Sequence, residues 1–173
     1  MAEVVRLAEV VRLALGLAEA LRLAEETGWH EALTTALCNA GATYADLGML
    51  CEAVDHLERA LMLNEAIART PAQAVNLGNL SCLYLEVGRL HDAEASLDRS
   101  LALCRELEHR ASEANGLVIM GEVLHGRDRL PEARDTLLSA LHLHRQVDNR
   151  GNEADTCVTW PRSNVTPAIS TGR

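Results

Sequence analysis

The chain has 173 residues, of which 48% are hydrophobic and 24% are charged, and its formal net charge is -9. This is the size of one domain, and the hydrophobic content is too high for an intrinsically disordered chain. The negative charge argues against a nucleic-acid-binding surface, which requires clustered positive charge. No uncharged apolar stretch is long enough to cross a bilayer, so the sequence predicts no contact with a membrane.

The cysteines indicate a reducing compartment. They are five in number, widely spaced, and contain no Cys-x-x-Cys motif. Their simplest role is that of small, reduced core residues, and the N-terminal apolar segment is interrupted by charges and is therefore no secretion signal. We expect a cytoplasmic protein.

An internal repeat of 40 residues runs through most of the chain. Residues 42–63 align with residues 82–103, and a second shift of 40 reaches residues 122–143. Identical residues recur at matched positions: Leu37, Leu77 and Leu117; Ala53, Ala93 and Ala133; Leu57, Leu97 and Leu137. Such self-similarity at one fixed period is typical of a repeat architecture.

Each repeat is predicted to form two helices, because its apolar residues recur at three- and four-residue steps. Gly48 and Gly88 are predicted to end helices, and Thr70-Pro71 to begin one, with Thr70 as the cap. No segment alternates with period two, so no strands are expected. We predict helices over 3–26, 31–47, 51–69, 72–87, 90–108, 111–126, 131–146 and 150–158.

A single helical hairpin cannot bury its apolar face, whereas stacked hairpins can, so the sequence predicts an extended all-α solenoid over residues 1–157. Residues 158–173 lose all periodicity and are predicted to be a disordered tail. The solenoid divides into a half repeat (1–28), three full repeats (31–69, 71–109 and 111–148) and a truncated repeat (150–157).

The spacing Leu37, Gly41, Tyr44, Gly48, Ala53, Leu57 and Ala60 resembles the tetratricopeptide repeat, as does the second copy around Tyr84 and Gly88. The 40-residue period is similar to the long repeats of kinesin light chains, and to the C-terminal arrays of SARP-type bacterial transcription regulators. The resemblance covers roughly residues 14–157. It implies a right-handed superhelical solenoid of antiparallel helix pairs, with a concave groove that binds a peptide.

By that resemblance, the first helix of each repeat lines the groove. Asn39 and Asn79 would hydrogen-bond the backbone of a bound peptide, whereas the third copy has Ile119 at this position. Alternatively, the two asparagines bond only a neighbouring helix. The acidic groove residues hint at a neutral or basic partner, or are merely a solvated helix face. The implied groove residues are Thr35, Cys38, Asn39, Ala42, Asp46, Val75, Gly78, Asn79, Cys82, Glu86, Val118, Ile119, Glu122 and His125.

No pattern in the sequence points to catalysis, a metal or another cofactor. His142 and His144 lie two residues apart, on different faces of a helix, so they cannot chelate one ion. Phosphate-binding and nucleophile-elbow motifs are absent. The dicarboxylate clamp of chaperone-binding repeats is also excluded, because there is no lysine and no arginine falls on the groove positions.

We therefore expect a non-enzymatic scaffold that binds a protein or peptide, with a regulatory role implied by the resemblance. The alternative is a self-association module, because the apolar surfaces of helices 3–26 and 131–146 have no capping helix and would form a homodimer. A weaker third interpretation is an enzyme or a small-molecule sensor that uses the groove.

Overall fold

The computed structural model describes residue 16 and residues 18–147, and the predictions for 1–15, 17 and 148–173 lie outside these residues. The predictions that fall on those residues are the start of the half repeat, the helix 150–158, the truncated repeat and the tail. The described residues contain seven helices and no strand. The helices are α1 (18–27), α2 (His30–Asp46), α3 (Leu50–Ala66), α4 (Thr70–Glu86), α5 (Leu90–Glu106), α6 (Arg110–Gly126) and α7 (Leu130–Gln146).

The turns repeat with the same period as the helices. Gly48 and Gly88 have φ values of 74° and 76°, and Asp128 has 58° at the matching position of the third repeat. In the first of these turns the amide of Met49 donates to the carbonyl of Tyr44 at 2.9 Å, which closes the helix end as in a Schellman motif. The predicted stops at Gly48 and Gly88 are confirmed.

Two details of the predicted helices were wrong. Helices α3 and α5 end before the predicted residues 69 and 108, because Ala68 and Glu108 each take a φ of 53° and leave the helix. Thr70 is the first helical residue of α4 rather than its cap, since Arg69 holds the cap position without a side-chain hydrogen bond. Pro71 lies in the first turn as predicted, where its missing amide hydrogen costs nothing.

The chain divides into two compact units, Met1–His109 and Arg110–Arg173. In the first unit α2 packs against α3, α3 against α4, and α4 against α5. In the second unit α6 packs against α7. The predicted fold class, an all-α repeat solenoid of antiparallel helix pairs, is confirmed.

Each helix pair meets where a leucine on the second helix faces a small residue on the first. A Cβ atom added to Gly41 would lie 2.8 Å from Cγ of Leu57, and one added to Gly121 would lie 2.5 Å from Cγ of Leu137. Both distances are shorter than a normal contact, so only glycine fits at these two positions without a shift of the leucine. The matching positions of the middle pair hold Ser81 and Leu97, both with 0% exposure.

Polar contacts join neighbouring repeats within the first unit. Glu25 on α1 pairs with Arg59 on α3 at 3.1 Å, and Glu65 pairs with Arg99 on α5, at positions 40 residues further along the chain. Exposed pairs of this kind each contribute only a few tenths of a kcal/mol to about 1 kcal/mol.

A hydrogen bond from a tyrosine hydroxyl also joins the first two full repeats. The hydroxyl of Tyr84 on α4 donates to Oε1 of Glu58 on α3 at 2.6 Å, and the guanidinium of Arg89 lies 4.4 Å from the centre of the tyrosine ring. Burial and this bond raise the pKa of Tyr84, so the hydroxyl remains a proton donor at neutral pH.

Substitution of the helix glycines tests the close contact between paired helices. We expect Gly121→Ala to lower the free energy of unfolding by about 1–3 kcal/mol, because the new methyl group overpacks against Leu137. Gly78→Ala is the matched control: the nearest atom to its new Cβ is Oγ of Ser100 at 3.7 Å. This change should stabilise the helix by about 0.5–1 kcal/mol. Urea unfolding measures both, and equal effects of the two substitutions would contradict the packing described.

Candidate functional site

Helices α2 and α4 each present a row of exposed residues on the side opposite their buried leucines. On α2 the row contains Thr35, Asn39, Ala42 and Asp46, and each position recurs 40 residues later on α4. The rows follow the helical period because Leu37 and Leu77, both nearly inaccessible, face the core. We call this surface the α2–α4 face; it comprises Thr35, Cys38, Asn39, Ala42, Asp46, Val75, Gly78, Asn79, Cys82 and Glu86.

All residues of the α2–α4 face are exposed to some degree. Cys38, Gly78 and Cys82 are among its less exposed members, whereas Val75 reaches 59% although it is apolar. The surface therefore combines small or apolar side chains with carboxamides and carboxylates. Such a mixture can contact a peptide's side chains and its backbone.

Asn39 and Asn79 occupy matching positions of the α2–α4 face, and both are exposed. Within residues 18–147 the side-chain amides of Asn39 and Asn79 make no hydrogen bond, so they do not bond a neighbouring helix as the alternative proposed. The backbone carbonyl of Asn39 accepts a hydrogen bond from the Thr43 hydroxyl at 2.8 Å. Each carboxamide can offer a donor and an acceptor to one peptide unit of a ligand.

A buried amide, which the sequence analysis missed, connects the two helices beneath this face. The thiol of Cys38 on α2 donates to Oδ1 of Asn76 on α4 at 3.0 Å, and Asn76 is only 2% exposed. Its Nδ2 makes no hydrogen bond within the described residues. The sequence signal that could have identified Asn76 is its polar side chain at a position where the other repeats have Ala36 and Gly116.

The thiol of Cys38 is a poor nucleophile. Burial raises its pKa, against smaller opposing effects of the Asn76 hydrogen bond and the charge of Arg69. The thiol is therefore protonated at neutral pH, and it acts as a hydrogen-bond donor to Asn76 rather than as a reactive group.

The predicted groove residues of the third repeat lie on α6, in the second unit. Val118, Ile119 and Glu122 are half-buried, and His125 is exposed. Loss of hydration raises the pKa of the Glu122 carboxyl, and no other group contributes to this shift. The structure thus brings the residues of α2 and α4 together in one unit, and the α6 residues belong to the other.

Two negative findings apply to residues 18–147 alone. This part of the chain contains no helix that is both long and apolar enough to span a bilayer. It also contains no group of three His, Cys, Asp or Glu residues placed to hold a metal ion.

Comparison with known proteins agrees with this architecture. The family model of the tetratricopeptide repeat matches residues 32–106. Among solved structures, BtubC (BKLC) from P. vanneervenii superposes with a TM-score of 0.75 at 18% identity, covering 82% of this chain and 59% of that one. A search of curated proteins finds no match to the chain.

Two crystal structures of a kinesin light chain-like protein with nearly identical TPR-like repeats, from Podospora anserina, are also similar. One, of a form with a single substitution, gives a TM-score of 0.72 at 14% identity, covering 89% of this chain and 80% of that one. The other gives 0.55 at 13%, covering 89% and 86%. At these identities the likeness establishes the fold.

Residues 32–106 match the tetratricopeptide-repeat family, and the fold of the repeats resembles that of kinesin light chain-like repeats. Repeats of this family generally mediate protein–protein interaction and are typically non-catalytic scaffolds. The chain spans 59% of the length of BtubC.

The half-buried carboxyl of Glu122 predicts a pH-dependent effect on stability. Its pKa is raised in the folded state, so its ionised form opposes folding above the ordinary pKa of 4.5, and this penalty is absent below that value. We therefore expect Glu122→Gln to raise the melting temperature at pH 7 and to leave it nearly unchanged at pH 4. Thermal unfolding at the two pH values, each compared with wild type, measures this. A larger gain at pH 4 than at pH 7 would contradict it.

Proposed function

We propose that this protein is a non-enzymatic scaffold that binds an extended segment of a partner protein across the α2–α4 face. The observation that supports this most is the pair of exposed, unbonded carboxamides of Asn39 and Asn79, at the same position of consecutive repeats. Two amides so placed can hydrogen-bond successive parts of one backbone, whatever side chains the ligand carries. Exposed Val75 and Ala42 add apolar contact beside them.

The wider role that we propose is regulatory, as part of a signal-responsive bacterial transcription system in the cytoplasm. This extends the sequence resemblance to SARP-type arrays. Within the described residues Cys38, Cys51, Cys82 and Cys104 form no disulfide, which supports a reducing compartment.

Selection from a phage-displayed library of random 12-residue peptides tests the binding function and needs no identified partner. We expect the wild-type chain to enrich a related set of peptides. The Asn39→Ala, Asn79→Ala double variant should bind a synthetic copy of the best peptide about tenfold more weakly or worse, because both backbone hydrogen bonds are lost. Fluorescence anisotropy measures the affinity.

The matched control removes exposed or half-exposed side chains from the second helices. Met62→Ala on α3 and Ser96→Ala on α5 should leave the affinity unchanged. Unfolding curves show whether the double asparagine variant remains folded. Equal affinity of the asparagine variant and wild type for the peptide would show that the α2–α4 face is not the binding surface.

Self-association is the second candidate function, and exposed leucines favour it. Leu23 on α1 and Leu138 on α7 are 47% and 48% exposed, near the two ends of the described chain. Static light scattering distinguishes the candidates: a homodimer has twice the 18.8 kDa mass of one chain. A single-chain mass at micromolar concentration would exclude self-association as the main role.

A further inference from the structure

Helices α2 and α4 carry only negative formal charges. Neither contains an arginine or a lysine, and their charged residues are Glu31, Asp46 and Glu86. Glu31, in the first turn of α2, lies 4.0 Å from Nε of Arg69, so the charge at this end is partly balanced. The unbalanced negative charge therefore lies at the other end of the two helices.

That end is formed by Asp46 and Glu86, the last residues of α2 and α4. Both retain solvent exposure, they occupy the same repeat position, and neither has a hydrogen bond or ion pair within residues 18–147. The arginines of the first unit between residues 18 and 109 are engaged elsewhere. Arg22 pairs with Glu19 and Glu26, Arg59 with Glu25, Arg69 with Glu31, Arg89 with Asp92, Arg99 with Glu65, and Arg105 also has a partner.

The position of these two carboxylates is unfavourable for the isolated helices. The C-terminal end of a helix carries partial negative charge, so an acidic residue there is repelled and a basic one is favoured. The last turns of α2, α3 and α4 contain no basic residue, whereas those of α5, α6 and α7 do; in α3 the acidic residue of that turn, Glu65, is paired with Arg99. An arrangement of unpaired carboxylates that works against stability and recurs in two consecutive repeats is expected at a functional site.

The carboxylates accompany the asparagines from repeat to repeat. Asn39 is followed seven residues later by Asp46, and Asn79 by Glu86. The third repeat has Ile119 and Gly126 at these positions, so both polar groups are lost together. This pairing indicates that amide and carboxylate serve one ligand.

A third group beside the same face also lacks a partner. The carboxamide of Asn76 contacts Cys38 of the α2–α4 face, and its Nδ2 is a buried donor without an acceptor among the described residues. A buried donor of this kind is costly unless it is satisfied. Because this atom is buried, it does not contact a ligand on the surface, and its lost hydration is a further local cost to stability beneath the α2–α4 face.

We propose that the ligand of the α2–α4 face is a basic extended peptide, and that Asp46 and Glu86 bind its lysine or arginine side chains. A cation at this end interacts favourably with the carboxylate and with the negative end of the helix. The asparagines hold the ligand backbone, and the carboxylates select its side chains. This inference rests on the proposed peptide-binding function.

Library selection and one charge-neutralising variant test the proposal. Random 12-residue peptides selected on the wild-type chain should be enriched in lysine and arginine and depleted in aspartate and glutamate. Asp46→Asn with Glu86→Gln should weaken binding of a selected basic peptide by about two- to fivefold for each carboxylate removed. The affinity of wild type should also fall as salt is raised from about 0.05 to 0.5 M, and that of the variant should fall less.

The control removes the same charge from the second helices. Asp55→Asn with Asp98→Asn changes two exposed carboxylates on α3 and α5, and should leave the affinity within about twofold of wild type. Peptides that are enriched without a basic bias, or equal losses in both double variants, would overturn the basic-peptide inference and leave the binding function standing. A selection that enriches no peptide would overturn both.

Discussion

The contact between a leucine of the second helix and a small residue of the first is the constraint on which each helix pair depends. Leu57 lies against Gly41, and Leu137 against Gly121, at distances that leave no space for a Cβ atom on the glycine. This contact fixes the rotation of the first helix about its own axis. Since Asn39 lies about half a turn around the helix from Gly41, it must face away from the core.

The exposure of the α2–α4 face therefore follows from core packing. The residues buried on one side of α2 and α4 determine which ones are exposed on the other, and the 40-residue period brings equivalent side chains into equivalent places. Stacking repeats consequently duplicates whatever group stands at an exposed position. At two of these exposed positions, two consecutive repeats carry an asparagine and a carboxylate, whereas the third repeat has Ile119 and Gly126.

Much of this arrangement could be predicted from the sequence because helical periodicity and repeat spacing determine it. The six helices α2–α7, the stops at Gly48 and Gly88, and the fold class were all predictable in this way. The ends of α3 and α5 were harder to predict, because Ala68 and Glu108 adopt a left-handed conformation that alanine and glutamate rarely take. In these turns the backbone hydrogen bonds from Arg69 to Asn64 and from His109 to Cys104 outweigh the preference of Ala68 and Glu108 for a negative φ.

Contacts between repeats were not predictable, because they depend on how neighbouring helices are rotated and spaced. The bond from Cys38 to Asn76 and the bond from Tyr84 to Glu58 join residues 38 and 26 positions apart. Periodicity identifies which residues are exposed, and it does not identify their partners. The identity of the ligand depends on the individual side chains of the α2–α4 face, since the same fold binds many different ligands.

The most direct test of this account is a ¹⁵N NMR titration with a library-selected peptide, since the side-chain amides of Asn39 and Asn79 give their own signals. If the two carboxamides hold the ligand, both signals should shift on binding, together with backbone amides of α2 and α4. Shifts confined to α3 and α5, with both asparagine signals unchanged, would show that the binding surface lies elsewhere.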